Sequence, residues 1–347
     1  MYIKKILIAI VLIGLVVAGV VAYNIYTIMF NSNTAFNNEE AYIYIPTNAS
    51  YEDVREQLEP LLKDVSSFDV LAKQKKYTTN IKAGRYVIKK RMNNNDIINS
   101  IRSKNVPLQL SFNNQETIES LAGRISSQIE ADSVTLVNVI KDSKFLRDND
   151  FSNETSLGMY IPNSYEFFWN TSAEQFRDRM LKEHNRFWTD ARMNKAKALN
   201  LTPNQVIILA SIVQKETAKT DERPRVAGVY LNRLKVKMPL QADPTVIYAI
   251  KKSTNDFDQV IKRVLYKDLE LDSPYNTYKY AGLPPGLIAM PDISSIEAVL
   301  NPESHDYYYF VADVKNFGYH KFAKTLSQHN VNRQEYVRWI NQQGVNR

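Results

Sequence analysis

Apolar positions fall into three patterns along the chain, and each predicts a different kind of element. The first thirty residues, MYIKKILIAIVLIGLVVAGVVAYNIYTIMF, carry Lys4 and Lys5 and then an uncharged apolar run from Ile6. Roughly 20 such residues cross the hydrocarbon core of a bilayer. A cleaved signal peptide is the rival reading, but its apolar region is usually about 7–15 residues and closes on a small-x-small site. Here the run continues through Tyr23, Ile25, Tyr26, Ile28 and Met29, which favours an uncleaved membrane anchor over residues 6–29. Lysines precede it, and the lysine-free stretch 31–51 with Glu39 and Glu40 follows, so the N-terminus stays in the cytoplasm and the body is exported. This makes the chain a single-pass membrane protein.

The second pattern is short and alternating. After a polar tether at 31–41, residues 42–46 read as a strand ending at Pro46. Residues 51–62 and 68–74 have helical spacing, 84–88 is strand-like, and 95–103 is helical behind the polar cluster 93–95. These make a small α+β unit over 42–105 with no catalytic cluster, a binding or spacer module. The remainder, 106–347, reads as a larger mixed α+β domain. It begins with a strand at 108–112, then helices at 117–129 and 133–141, an aromatic, proline-bearing loop at 158–167, and one long helix at 173–199. Strands at 307–312 and 319–322 and a helix at 336–342 close the chain.

The third pattern carries the chemistry. Within 205–219, Val206, Leu209 and Val213 recur at helical spacing, and Glu216 falls on the same stripe. A carboxyl over apolar side chains loses hydration in its charged form, so its pKa rises toward neutrality, as a general acid requires. A last-turn residue turned to solvent and paired with Lys215 or Lys219 fits the same pattern. Beyond it, Asp221 or Glu222 lies where it can cap the helix 226–234, with Pro224 in the first turn. In MPLQADPTVIY at 238–248, Gln241, Asp243 and Thr245 place amide, carboxylate and hydroxyl together before a short helix that Asp243 can also cap. SPYNTYKYAGLPPG at 273–286 is a rigid loop with more polar and aromatic groups than a connector needs.

Composition narrows the chemistry further. The chain has no Cys, which excludes disulfides and thiolate chemistry, and its four scattered His form no HExxH pattern. No metal or organic cofactor is implied. The net charge of +7 is spread along the chain, so there is no nucleic-acid stripe, while an anionic polymer or membrane surface remains compatible.

Taken together, the segments ASIVQKET at 210–217, VAGVYLNRL at 226–234, MPLQADPTVIY, SPYNTY at 273–278, GLPPG at 282–286, and the pair YFVAD at 309–313 and HKF at 320–322 resemble the YceG-like endolytic murein transglycosylase family. The resemblance runs from about residue 158 to the end; earlier it is one of layout, with IKAGRY at 81–86 the clearest match. It implies a LysM-like character for 42–105 and a catalytic domain after it. Two departures matter. Many relatives carry Glu where this chain has Gln214, so the proton-donor role maps to Glu216, and a carboxylate often found in relatives is replaced here by Leu157.

The resemblance implies cleavage of the β-1,4 bond between N-acetylmuramic acid and N-acetylglucosamine within nascent strands, leaving a 1,6-anhydro end. Ordinary glycosidases use two carboxylates. A transglycosylase closes the sugar's own 6-hydroxyl onto its anomeric carbon, so Glu216 can act as acid and then as base. Gln241, Asp243, Thr245, Tyr248, Asn276, Tyr278 and Tyr165 are the candidate sugar contacts, since amides and hydroxyls read sugar substituents and rings stack on pyranose faces. Arg233 is left out, and His320 and His329 read as structural. The expected partners are peptidoglycan strands, the membrane, and synthases of the same polymer. Two rivals stay open: a two-carboxylate hydrolase using Glu216 with Asp243, and a non-catalytic wall-binding scaffold that recruits synthases.

Overall fold

The computed structural model describes residues 2–342, and the chain divides into two compact units. The first runs to Leu110 and takes back two later stretches, Gln128–Ala131 and Tyr165–Ser172. The second holds Ser111–Ser127, Asp132–Ser164 and the chain from Ala173 onward.

In the first unit the apolar run forms the helix Tyr2–Phe30, which has no buried residue. Among the described residues it is the one helix long and apolar enough to cross a membrane by length and composition. Its last turn is docked: Ile28 and Met29 pack on the core of this unit, and the Asn94 amide donates to the Ile28 carbonyl at 2.9 Å. Strands Glu40–Ile45 and Gly84–Lys89 pair antiparallel with Tyr42 opposite Val87. Their alternation buries Ile43 and Ile45 and leaves Tyr42 and Tyr44 outside. Three helices complete the layer, Tyr51–Leu58, Val65–Gln74 and Asn94–Ser103, each opened by a side-chain cap from Ser50, Asp64 or Asn93. Val54, Leu58, Phe68, Leu71, Ile97 and Ile101 fill the space beneath the sheet.

The polar stretch 31–41, expected as a tether, is anchored over its first residues. Asn33 and Thr34 are buried, and the Asn33 amide donates to the Asp64 carbonyl and to the Asn94 side chain, both at 2.7 Å. Polarity predicted exposure, but these polar groups find partners inside the fold.

In the second unit the organising element is the helix Pro203–Glu216. Thr202 and Gln205 cap each other's backbone and Pro203 takes the first turn, so the start of this helix is fixed by sequence. Every residue from Val206 to Val213 is buried, and the expected apolar stripe is a helix enclosed on all sides. Helices Arg223–Lys235, Asp243–Thr254 and Ile293–Leu300 pack around it. Strands Tyr309–Ala312 and His320–Ala323 form an antiparallel hairpin, and the helix Leu326–Gln342 packs on it.

Several expectations change here. The long helix at 173–199 is two helices, Ala173–Phe187 and Asp190–Ala198, because Thr189 turns out of helical geometry and caps the second. The loop at 158–167 contains a strand, Asn163–Phe167. Helices Ser143–Asp148 and Ile293–Leu300 were not expected from periodicity.

Gln214 has a structural use in this chain. Its side-chain oxygen accepts the Asp292 backbone N–H at 2.6 Å and the Ser295 hydroxyl at 3.1 Å, tying the central helix to the start of Ile293–Leu300. Arg223 reinforces the same joint with two 2.9 Å contacts to the Asp292 carboxylate. Arg223 is buried while Asp292 is over a third exposed, so Arg223→Met should lower stability by about 1–2 kcal/mol in denaturant titration, through the lost charge-assisted hydrogen bonds. An unchanged midpoint would show that the pair is energetically idle.

Candidate functional site

Glu216 is the last residue of the central helix, and Thr217 after it is extended. Its neighbours come from four segments that reach this helix end. The Tyr230 hydroxyl, from helix Arg223–Lys235, donates to Glu216 Oε1 at 2.5 Å. Tyr230 is buried, and burial together with the Glu216 charge holds its hydroxyl well above the ordinary phenol range, so it stays a donor. Three residues on, buried Arg233 donates to the carbonyls of Leu240 at 2.5 Å and Tyr308 at 2.6 Å. One guanidinium thereby fastens the 238–242 loop and the hairpin approach to the same helix.

Burial raises the Glu216 carboxyl from 4.5 to about 7, outweighing the Tyr230 hydrogen bond, which favours the charged form. The Asp243 charge adds to the rise, while His320 and Arg233 oppose it. The residue as a whole is partly exposed, while its carboxyl is desolvated. Such a group holds a proton near neutrality and can release it to a bound oxygen.

Asp243 is exposed at the first position of its helix, where Ala242 stands as the cap residue and makes no side-chain cap bond. The capping role considered for Asp243 is therefore replaced by another: its carboxylate accepts the Tyr278 hydroxyl at 2.6 Å. Burial, then the Asp243 charge, raises the Tyr278 phenol far above its usual range. Gln241 is exposed beside it, with a left-handed φ of 48° and its N–H on the Thr277 carbonyl at 3.0 Å.

Two candidate contacts present no surface. Thr245 and Asn276 are both 0% exposed. The Thr245 hydroxyl bonds the Ala242 carbonyl at 2.7 Å and the Thr277 hydroxyl at 2.8 Å. The Asn276 amide donates to the Leu269 and Leu271 carbonyls at 2.8 and 2.9 Å and accepts the Tyr278 N–H at 3.0 Å. These side chains hold the loop that carries Tyr278. Asn276→Ala should cost about 1–2 kcal/mol, since the part-buried Leu269 carbonyl and Tyr278 N–H lose their partner while the Leu271 carbonyl keeps the Ser273 N–H; a melting curve matching the parent's would contradict this.

The remaining two candidates, Tyr248 and Tyr165, have other surroundings. Tyr248 lines a recess of about 310 Å³ with Glu116, Lys215 and Lys251, its ring 4.8 Å from that of Tyr275. Tyr165 is half-buried on the strand Asn163–Phe167 and belongs to the first unit.

Four residues of this cluster were not in the sequence-derived set: Tyr230, Arg233, Glu222 and His320. Tyr230 and Arg233 stand three apart on a helix whose Val226 and Ala227 are buried, and a polar pair at that spacing on an apolar face was the available signal. Neither acid before this helix caps it. Glu222 occupies the cap position in helical geometry with no side-chain cap bond, and Asp221 accepts the Tyr319 hydroxyl at 3.0 Å. Glu222 instead grips His320, accepting its backbone N–H at 2.7 Å and its Nδ1 at 2.8 Å. That contact joins residues 98 apart in sequence, so local spacing could not reveal it.

The sequence model of the YceG-like family matches residues 43–335. The chain belongs to the YceG-like family. This YceG-like chain is 32% identical to the endolytic murein transglycosylase of Bacillus subtilis, the match covering 85% of this chain and 84% of that one. It is 29% identical to the protein of the same name from Streptococcus pneumoniae D39, over 84% of this chain and 58% of that relative. The crystal structure of a yceG-like protein from Listeria monocytogenes superposes with a TM-score of 0.56 at 32% identity, over 85% of this chain and 99% of that one. The family match spans both the small unit and the Glu216 cluster of this YceG-like chain.

Proposed function

We propose that the chain is a membrane-anchored endolytic murein transglycosylase in which Glu216 moves the protons. What carries this reading is one carboxyl, raised to about 7 by burial and held by the Tyr230 hydroxyl, at the end of an enclosed helix. Neutral Glu216 protonates the glycosidic oxygen as the bond to the muramic acid anomeric carbon breaks. The resulting carboxylate takes the proton of the 6-hydroxyl as that oxygen closes onto the same carbon. Asp243 is engaged by Tyr278 and exposed, an environment that suits an ionised, orienting group. Gln241, Asp243 and Tyr278 are the sugar contacts this geometry favours, with Thr245 and Asn276 holding their loop in place.

The same reading assigns the helix Tyr2–Phe30 to the cytoplasmic membrane with the body outside, the small unit to a LysM-like wall-binding role, and synthases of the polymer as partners. Mass analysis of products from purified peptidoglycan, using the full chain in detergent, tests the reaction. Glycan ends of the 1,6-anhydro type are expected. Reducing ends in their place would favour the two-carboxylate hydrolase, and no cleavage at all would favour the scaffold.

A smaller change tests the local electrostatics. The Tyr230 hydrogen bond favours ionised Glu216, so Tyr230→Phe should shift the alkaline limb of the pH–rate profile upward by up to about one unit, a plausible share for one hydrogen bond to a charged group. A downward shift would contradict the assignment.

A further inference from the structure

A recess of about 980 Å³ opens in the second unit, away from the acid. At about 100° per residue, Gly228, Asn232 and Lys235, which line it, fall on the face of their helix opposite Tyr230 and Arg233. The central helix contributes its opening turn, and Asn204 there stands about 18 Å along the axis from Glu216. The recess and the acid are separate places.

Its walls are set in advance. Gly228 lets the segment 302–305 come close, since a Cβ there would lie 2.7 Å from both the Glu303 carbonyl oxygen and His305 Nε2. That segment is pinned. The Asn232 amide donates to the His305 and Tyr307 carbonyls at 2.8 and 3.1 Å, and His305 meets the Arg225 carbonyl through Nε2 at 2.9 Å and the Tyr307 N–H through Nδ1 at 3.1 Å. Another wall is the GLPPG motif, where Leu283, Pro284 and Pro285 line the recess and the prolines restrict the backbone. Gly286 closes that turn, because a Cβ there would run into the Glu154 carbonyl. A pre-formed cavity of this size, with apolar walls and a few polar groups, is the usual form of a ligand site.

The lining chemistry selects the ligand. No Tyr, Phe or Trp lines the recess in a chain that holds 21 Tyr, so it offers a pyranose no such ring to stack on. It suits a peptide better. Leucines and prolines accept apolar side chains, and the exposed Asn200 amide has no partner among the described residues, leaving both its donor and its acceptor for a peptide backbone. Gln205 spends its oxygen on the Thr202 N–H at 2.9 Å and keeps its own amide hydrogens. Lys235 adds an exposed cation with no carboxylate partner among the described residues, whereas Glu303 is already engaged by Arg225 at 2.9 and 3.0 Å. A carboxylate on the ligand completes Lys235.

Resting on the function proposed above, we propose that this recess is a second substrate site, one that holds an acidic peptide stem of the polymer while Glu216 works on the glycan. The stem supplies what the lining calls for, consecutive backbone amides and a carboxylate. Its distance from Glu216 makes the recess a docking site and not part of the reaction.

The test compares intact peptidoglycan with the same polymer stripped of its stems by an amidase, using full-length protein in detergent. Binding is read by co-sedimentation and the reaction by anhydro ends. The parent should hold the intact polymer about 10-fold more tightly than the stripped one, the scale of one hydrogen bond to a charged group. Lys235→Glu and Ser304→Trp, both at exposed positions on the rim, should lose that preference while cutting stripped glycan at the parental rate. Equal binding of the two polymers by the parent, or a preference that both variants keep, would overturn the inference. A preference lost in the variants while the parent forms no anhydro ends would support the recess and count against the underlying reaction.

Discussion

Glu216→Gln protein should fold and yet form anhydro-ended glycan about 10³-fold more slowly than the parent, within the range expected for removal of a general acid–base group. Glutamine keeps an oxygen for the Tyr230 hydroxyl, so the 2.5 Å contact has a replacement acceptor, but the amide has no proton to give to an ether oxygen. The parent's own rate should fall as pH rises through about 7, because the donor form of Glu216 is then lost. Both outcomes can be read from one set of muropeptide digests across pH. A Gln variant that cleaves at the parental rate would remove Glu216 from the reaction.

The same substitution should stabilise the folded protein above neutrality. Glu216 is neutral in both folded and unfolded chains at low pH. Between about 4.5 and 7 the unfolded chain releases this proton while the folded chain retains it, so the stabilising contribution of the raised pKa is lost as pH climbs to 7. A rise of about 2.5 units corresponds to up to about 3 kcal/mol, given 1.36 kcal/mol per unit. Glutamine does not titrate. Glu216→Gln should therefore unfold at a higher denaturant concentration than the parent at pH 8 and at nearly the same concentration at pH 4. An equal difference at both pH values would mean that desolvation of this carboxyl does not govern the effect.

The chain order of these elements was readable because local chemistry sets it. Thr202, Pro203 and Gln205 start the central helix, and alternation of Ile43 and Ile45 with Tyr42 and Tyr44 defines the first strand. The break at Thr189 was missed because Phe187 and Ala191 continue the helical period across it, while the cap that interrupts it is one side chain. The burial of the Glu216 carboxyl was legible because carboxyl and apolar stripe share one helix. Its surroundings were less so. Nothing in the spacing of Asp243 and Tyr278, 35 residues apart, reveals their 2.6 Å contact, and nothing local distinguishes the enclosed Asn276 from the accessible Tyr278 two positions later. Side chains that serve loops and side chains that serve ligands have the same composition. Only burial separates them.

The docking of the apolar helix onto the first unit bears on where that unit can work. At 1.5 Å per residue the 29-residue helix is about 43 Å long, and a hydrocarbon core takes up about 30 Å of it. In a helix that spans a bilayer, the remainder, ending in the packed turn of Ile28 and Met29, would leave no slack coil between lipid and protein. With the helix inserted, the small unit is mounted on a post instead of a leash, and its standing height above the bilayer becomes a property of the fold.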